Sequence, residues 1–195
     1  MYRAVTLFCL ENGILSGETL NLNRLKKSLD QINIHLTLNP DSKTQETWLN
    51  GRNVEEKIRG IEVSSAVSKI SQVKAVRSKM VNIQRKIGEN GGVVMDGRDI
   101  GTVVFPGAKL KIFMTADPDV RARRRYDELV QKGMPVEFIE VARNVRMRDH
   151  EDENRKESPL RKAEDALVLD NSDMTVDQQM VWFRELWRKK NMHED

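Results

Sequence analysis

One cysteine, Cys9, is present among the 195 residues, so the chain cannot form an internal disulfide. A protein without disulfides fits a reducing compartment, of which the cytoplasm is the simplest example. No apolar run reaches the roughly 20 residues that a membrane-spanning helix needs. The first residues also lack the charged segment and apolar core of a secretory signal. The sequence therefore predicts a cytoplasmic protein that has no membrane partner.

Aromatic residues make up only 5% of the chain, and neither sign of charge dominates. Lys and Arg total 33 against 30 Asp and Glu, which leaves a formal net charge of +3. Proteins that bind single-stranded nucleic acid usually combine basic grooves with aromatic residues on which bases stack. We therefore expect no nucleic-acid partner, and a basic RNA-contacting protein stays as an alternative that the few aromatic residues disfavour. The length suits a single domain, residues 1–195.

A small antiparallel sheet is predicted at about residues 32–54. Apolar and polar residues alternate over 32–38, which predicts a strand with one buried face. A second strand is predicted over 44–49, and Asn50-Gly51 then favours a tight hairpin because both residues tolerate positive φ. Helical spacing of apolar residues surrounds this insert on both sides.

Three short apolar runs follow, at residues 93–95, 110–114 and 166–169. Each is apolar on both faces, as are the strands of a parallel sheet that is covered on both sides. A helix is predicted between the second and third runs, from about residue 136 to beyond 148. Strands that alternate with helices predict an α/β layered fold.

Helix ends in this half of the chain carry recognisable capping residues. Asp117-Pro118 places an N-cap before a proline at the first helical position, and Gly133 is suited to end that helix. Thr175 and Gln178 have the spacing of a capping box, which predicts the start of the last helix.

Four groups of polar residues could carry chemistry, and each also has an ordinary structural explanation. Arginine can pair bidentately with phosphate, and a carboxylate at the end of a strand can hold Mg²⁺ through water. A polar turn, surface ion pairs or a solvated helix face would explain the same residues. The groups are Asp96-Gly97-Arg98-Asp99, the helical triplet Arg148, Asp152 and Arg155, the cluster Arg121, Arg123, Arg124 and Arg125, and the pair Ser68 and Arg77.

Taken in order, these segments resemble the bacterial cytidylate kinase family over essentially the whole chain. The stretch DGRDIGTVVFP, which begins at Asp96, is highly specific. The matching segments are Met1-Tyr2-Arg3-Ala4, Ala66-Val67-Ser68-Lys69 with Arg77, Asp96 to Pro106, Arg148-Asp149 to Asn154-Arg155, Ser158-Pro159-Leu160 and Asp165 to Asp170.

The resemblance implies an α/β, P-loop nucleoside-monophosphate-kinase-like three-layer fold with a parallel sheet. A monophosphate-binding region at 23–88 would contain the three-stranded insert, and a helical lid would lie at about 126–158. The implied activity is transfer of the ATP γ-phosphoryl group to CMP or dCMP, with Mg²⁺ as cofactor.

The resemblance also implies roles for individual residues. Those carried over to the acceptor are Ser68, Arg77 and Asp99 at the cytosine edge, Arg148 and Asp152 at the sugar, and Arg3, Arg98 and Arg155 at the phosphate with Tyr2 nearby. Arg121 and Arg125 would face ATP, and Asp96 would hold Mg²⁺ through water. The catalytic set would be Asp96, Arg98, Arg148 and Arg155.

The sequence departs from the family in one respect, since no G-x-x-x-x-G-K-[ST] occurs in it. The family forms that loop after its first strand, ahead of the point that matches Met1-Tyr2. We therefore expect an N-terminally truncated kinase that lacks the first strand and the P-loop and is inactive alone. Pairing with a missing N-terminal segment or with another copy would be possible. A nucleotide-binding module without transfer activity is the alternative.

Overall fold

The computed structural model describes residues 1–191, which form helices, two antiparallel sheets and one parallel strand pair. The helices are α1 (Tyr2–Glu11), α2 (Leu22–Ser28), α3 (Ile61–Ser71), α4 (Lys74–Ile87), α5 (Pro118–Gln131), α6 (Phe138–Asn154) and α7 (Val176–Asn191). The strands are β1 (Leu15–Ser16), β2 (Thr19–Leu20), β3 (Ile34–Leu38), β4 (Gln45–Leu49), β5 (Arg52–Asn53), β6 (Ile112–Thr115) and β7 (Leu167–Asp170). None of the helices within 1–191 is long and apolar enough to cross a bilayer.

The chain divides into two compact units. The first unit comprises Met1–Phe105 and Asn154–Leu160, and the second comprises Pro106–Glu153 and the chain from Arg161 onward. The first therefore contains the insert sheet and the first four helices, and the second contains the parallel strand pair.

Helix α1 lies in the hydrophobic core of the first unit. It packs against α3, and residues 4–9 are buried. The helix ends where Asn12 Nδ2 donates to the carbonyl of Phe8 at 2.8 Å and Gly13 adopts φ 58°. The core around it consists of Ala4, Val5, Leu7, Phe8, Cys9, Ile14, Leu15, Leu25, Leu29, Ile32, Ile34, Leu49, Val54, Ile58, Val63, Ile70, Val76 and Met80. Full burial of one large aliphatic side chain contributes about 1.5–3 kcal/mol, so this cluster holds the unit together.

The predicted three-stranded insert is confirmed. The strand order is β3-β4-β5, all antiparallel, and Ile34 pairs with Leu49. Asn50 and Gly51 have φ values of 49° and 78°, as the predicted tight turn requires. The insert is anchored by its inner face, because Ile34 and Leu49 are both buried in the core.

The predicted strand at residues 93–95 is wrong. This segment is irregular, and Val94 is 95% exposed. A strand needs a neighbour that completes its backbone hydrogen bonds, and none of the described strands pairs with this segment. The DGRD segment therefore follows irregular backbone in this structure.

Two of the predicted parallel strands are confirmed with small shifts in their bounds. β6 and β7 pair in parallel, with Ile112 opposite Leu167 and Thr115 opposite Asp170. Parallel strands need a crossover between them, and the chain from 116 to 166 provides it with α5 and α6.

The predicted helix caps are confirmed as well. The carboxylate of Asp117 accepts from the backbone N–H groups of Asp119 and Val120, at 2.8 and 3.2 Å, and α5 begins there. At the start of α7, Thr175 and Gln178 exchange the two bonds of a capping box, at 2.8 and 3.2 Å.

Candidate functional site

Arg3 connects three parts of the first unit at the N-terminal end of α1. Its Nη1 donates to the carbonyl of Ile58 at 3.1 Å and to Oγ of Ser64 at 2.7 Å. Ile58 lies in the short helical turn Lys57–Arg59, and Ser64 lies in α3. These bonds hold the guanidinium close to the start of the helix that carries Tyr2.

A buried arginine–aspartate pair lies in the same unit. Arg77, in α4, is 4% exposed, and Asp99, the last residue of the DGRD segment, is 5% exposed. Nη2 of Arg77 donates to Oδ2 of Asp99, and Nη1 donates to the carbonyl of Ser71 at 3.0 Å. Removing two charges from water costs free energy, so a buried ion pair is uncommon unless its hydrogen bonds offset that cost. Because this buried pair includes a residue of the DGRD segment, we take it as the centre of the candidate site.

Tyr2 lies against the buried pair. The guanidinium carbon of Arg77 is 5.3 Å from the centroid of the Tyr2 ring, within the range of a cation–π interaction. Burial raises the pKa of the Tyr2 hydroxyl, Asp99 raises it further, and Arg77 and Arg155 lower it. The hydroxyl is buried and has no hydrogen-bond partner among the described residues. A buried polar group without a partner costs about 1–3 kcal/mol, which a polar ligand atom could offset.

Arg155 belongs to the same group of residues. Its side chain is half-buried, and its charge lowers the pKa of the Tyr2 hydroxyl. Its Nε donates to the carbonyl of Ser158 at 2.7 Å. Ser158 has φ 49°, a left-handed conformation that is uncommon outside glycine. The carbonyl that accepts from Arg155 therefore belongs to a residue in this uncommon conformation.

The residues just before the buried aspartate are more open. Asp96 and Arg98 are exposed. Between them, a Cβ atom on Gly97 would approach Cγ1 of Ile100 to 2.9 Å, so only glycine fits without displacing that side chain.

A π-helical turn at Ile100–Val104 was not predicted. The backbone N–H groups of Val103 and Val104 both donate to the carbonyl of Asp99, at 2.8 and 3.2 Å. Arg85 secures the end of this turn, because its Nη2 and Nε donate to the carbonyls of Val103 and Val104, at 2.8 and 3.2 Å. Single π turns occur frequently at functional sites. Sequence reasoning missed Arg85 because it resembles any charged residue in a polar helix.

Ser68 is linked to the buried pair through Ser71. Oγ of Ser71 donates to the carbonyl of Ser68 at 3.0 Å, and the carbonyl of Ser71 accepts from Arg77. Ser68 is half-buried in the last turns of α3. The junction of α3 and α4 therefore connects two of the residues that were predicted to read a cytosine edge.

Arg121 and Arg125 lie on α5 in the second unit. Nη1 and Nη2 of Arg121 donate to the two carboxylate oxygens of Asp149, each at 2.7 Å, and Nε donates to the carbonyl of Ala116 at 3.1 Å. The hydrogen bond to Asp149 raises the pKa of Arg121. Arg125 donates to Oε2 of Glu128 at 2.7 Å. Both arginines thus bind carboxylates in this structure.

Arg148 and Asp152 are half-buried, and their spacing places them on the same side of α6. They belong to the second unit, whereas Arg155 belongs to the first. The boundary between the units falls within the predicted triplet. The structure thus groups Tyr2, Arg77, Asp99 and Arg155 in one compact unit.

Proteins similar to this chain over most of its length are known. The family model described as cytidylate kinase matches residues 1–183. A protein named cytidylate kinase from Parabacteroides distasonis is 51% identical over 189 residues, which cover 97% of this chain and 82% of the relative. A cytidylate kinase from Bacteroides fragilis has the same identity and coverage. Another, from Porphyromonas gingivalis, is 48% identical over 190 residues, or 97% of this chain and 82% of the relative. The chain therefore belongs to the cytidylate kinase family, a family of phosphotransferases.

Proposed function

We propose that this chain forms the acceptor side of a kinase that transfers the γ-phosphoryl group of ATP to CMP or dCMP. Membership of the cytidylate kinase family supports the reaction class. The observation that supports the acceptor site is the buried pair of Arg77 and Asp99 beside Tyr2, whose hydroxyl has no partner among the described residues.

The buried pair offers the hydrogen bonds that a cytosine edge needs. Cytosine presents an amino donor beside two acceptors, so the Asp99 carboxylate can accept from the amine while Arg77 donates to the ring. The Ser68 hydroxyl would add a further bond. Uracil has a carbonyl oxygen in place of the amine. That oxygen and the Asp99 carboxylate are both hydrogen-bond acceptors, so neither would receive a hydrogen from the other. We therefore expect CMP and dCMP to bind more tightly than UMP.

The remaining acceptor residues are proposed to hold the sugar and the phosphate. Arg3, Arg98 and Arg155 would pair with the phosphate, since the planar guanidinium matches phosphate geometry. Arg148 and Asp152 would contact the sugar. Catalysis would consist of positioning the acceptor and neutralising the charge of the transferred group.

Mg²⁺ is proposed to accompany ATP. Mg²⁺ is usually held by one or two carboxylates together with waters and substrate phosphates. A single exposed carboxylate, Asp96, fits that pattern, and no three His, Cys, Asp or Glu side chains come together as ligands within residues 1–191. When bound, the ion would neutralise phosphate charge, and Asp96 would hold it through water. Arg121 and Arg125 would face the ATP phosphates.

The donor side depends on a loop that this sequence does not contain. Because no G-x-x-x-x-G-K-[ST] is present, we expect the chain alone to bind CMP but to transfer phosphate very slowly.

Calorimetric titration with CMP, dCMP and UMP tests the acceptor site. Asp99→Asn should weaken CMP binding by about tenfold or more and reduce the preference over UMP. Asp173→Asn, at an exposed position in the second unit, is the matched control and should bind CMP as the wild type does. Circular dichroism establishes that both variants are folded. Unchanged CMP affinity in folded Asp99→Asn would contradict the assignment.

An ATP-dependent CMP phosphorylation assay tests the donor side separately. We expect only trace formation of CDP by the chain alone and an increase when a strand–P-loop–helix segment is added. Turnover by the chain alone at a typical enzyme rate would show that the loop is not required, and would leave the acceptor assignment intact.

A further inference from the structure

Helices α5 and α6 are connected by two arginine–aspartate pairs of different kinds. Arg121 and Asp149 form the bidentate pair, with both bonds at 2.7 Å, and their side chains are 36% and 32% exposed. Arg146 and Asp119 form a single bond at 2.7 Å, and both side chains are mostly exposed. Because both pairs join the same two helices, the exposed Arg146–Asp119 pair is a control for substitutions in the Arg121–Asp149 pair.

The bidentate pair uses the atoms with which an arginine would bind a phosphate. Both terminal nitrogens of Arg121 point to the carboxylate of Asp149, and Nε is occupied by the carbonyl of Ala116. Carboxylate and phosphate present the same pair of acceptors to a guanidinium fork. Asp149 therefore stands where a phosphate group would have to bind Arg121.

We propose that Asp149 is a positioning residue that occupies the phosphate-binding fork of Arg121 and releases it when a triphosphate binds. This inference rests on the proposed role of Arg121 toward ATP. The carboxylate aligns the guanidinium while the site is empty, and the more highly charged triphosphate displaces it. Ion pairs that remain partly exposed contribute little to stability, so this one can open without unfolding the helices.

A separate contact keeps α5 and α6 together when the pair opens. The guanidinium carbon of Arg123 lies 4.4 Å from the ring centroid of Phe138 and 5.6 Å from that of Tyr126. The two rings pack edge to face at 5.8 Å. Because Tyr126 is on α5 and Phe138 begins α6, this cluster joins the helices without Arg121 or Asp149.

Calorimetric titration with inorganic tripolyphosphate tests the inference, since this probe carries the phosphates without base or sugar. Asp149→Asn should tighten binding by roughly two- to fivefold, because it removes the internal competitor. Asp119→Asn makes the same change of charge and also breaks an α5–α6 pair, and it should leave the affinity unchanged. Arg121→Gln should weaken binding and abolish the gain in the double variant Arg121→Gln/Asp149→Asn.

Equal gains in Asp149→Asn and Asp119→Asn would overturn the inference, because net charge would then explain both. A gain that persists with Arg121→Gln would also overturn it. If Asp149→Asn does not fold, the Nε–Hε NMR resonance of Arg121 in the wild type provides the test. That resonance must shift on addition of tripolyphosphate, and an unchanged resonance at saturation would contradict displacement of Asp149.

Titration of the same variants with CMP separates this inference from the proposed function. Normal CMP binding together with no effect of Asp149→Asn on tripolyphosphate would overturn the role of Asp149 alone. Absence of CMP binding in the folded wild type would overturn the acceptor site, and the comparison of the two Asp→Asn variants would still decide the role of Asp149.

Discussion

The first unit has a continuous hydrophobic core, whereas the second buries few large apolar side chains. Every residue of the large core cluster belongs to the first unit. On the parallel strand pair of the second unit, Met114 and Val168 are 56% and 53% exposed. The buried apolar residues described in that unit are Ala116, Ala122, Leu129, Val141, Ala142 and Leu169, of which half are alanines.

This difference explains why the two units hold charge differently. A close-packed core excludes water, so the Arg77–Asp99 pair of the first unit is buried and each partner depends on the other. The Arg121–Asp149 pair of the second unit remains partly exposed, and water can replace either partner. The first arrangement suits a preorganised binding site, and the second suits a contact that changes on binding.

The largest expected effect is that of Arg77→Met in the first unit. The substitution leaves the charge of Asp99 buried and unpaired, which should lower the free energy of unfolding by about 3–5 kcal/mol. Urea denaturation measures the loss. Arg52→Met removes an exposed pair with Glu11 and is the control, with an expected loss below about 1 kcal/mol. Similar small losses in both variants would mean that the buried pair is readily hydrated.

Leucine-to-alanine substitutions in the two units test the contrast in packing. Leu25 is fully buried in the first unit, so Leu25→Ala should cost about 2–5 kcal/mol through lost burial and the resulting cavity. Leu169 is buried as well, but few large apolar side chains are buried in its unit, so Leu169→Ala should cost about 2 kcal/mol, at the low end of that range. Hydrogen exchange of the amides in β4 and β7 reports each unit separately. Equal costs would contradict the difference in packing.

The buried thiol of Cys9 predicts a loss of stability at alkaline pH. Burial raises its pKa from 9.0 to about 11, so the folded state retains the thiol proton that the unfolded state releases. Below pH 9 the thiol is protonated in both states, so the free energy of unfolding does not depend on it. Above pH 9 the unfolded state ionises first, and the free energy of unfolding should fall by on the order of 2 kcal/mol as pH rises to about 11. Thermal unfolding between pH 7 and 11 should show a steeper decline for wild type than for Cys9→Ala. Parallel declines would indicate that Cys9 titrates normally.

The smallest effect is expected for Glu128→Gln on α5 in the second unit. Glu128 accepts from Lys132 and from Arg125, and these two bonds, that of Lys132 first, lower its pKa. A lowered carboxyl pKa stabilises the folded state at pH values above the usual pKa of a glutamate. That stabilisation is lost as pH falls through the lowered pKa of Glu128. Because the pair is exposed, we expect a loss of less than about 1 kcal/mol at pH 7, measured by thermal unfolding. A larger loss would mean that α5 depends on its surface charges.

Local features of the fold could be predicted from the sequence because their physical causes are local. Asn50-Gly51 and the Thr175–Gln178 capping box each involve neighbouring residues, and both form as predicted. The strand predicted at 93–95 is wrong because a strand depends on a neighbour elsewhere in the chain. Arg85 was missed because its importance lies in two carbonyls 18 and 19 residues away.

The sequence by itself determined the family, since its specific segments occur in order along the chain, and the comparisons confirm that assignment. It also determined the helix caps and the insert hairpin. The tertiary structure alone decided which charges meet. Arg77 and Asp99 are 22 residues apart, and Arg121 and Asp149 are 28 apart. The family resemblance assigned Arg77 and Asp99 to the same cytosine edge, but it did not indicate that the two side chains pair, and it gave Asp149 no role. The energies of these pairs depend on burial, which follows from how the helices pack and not from residue type.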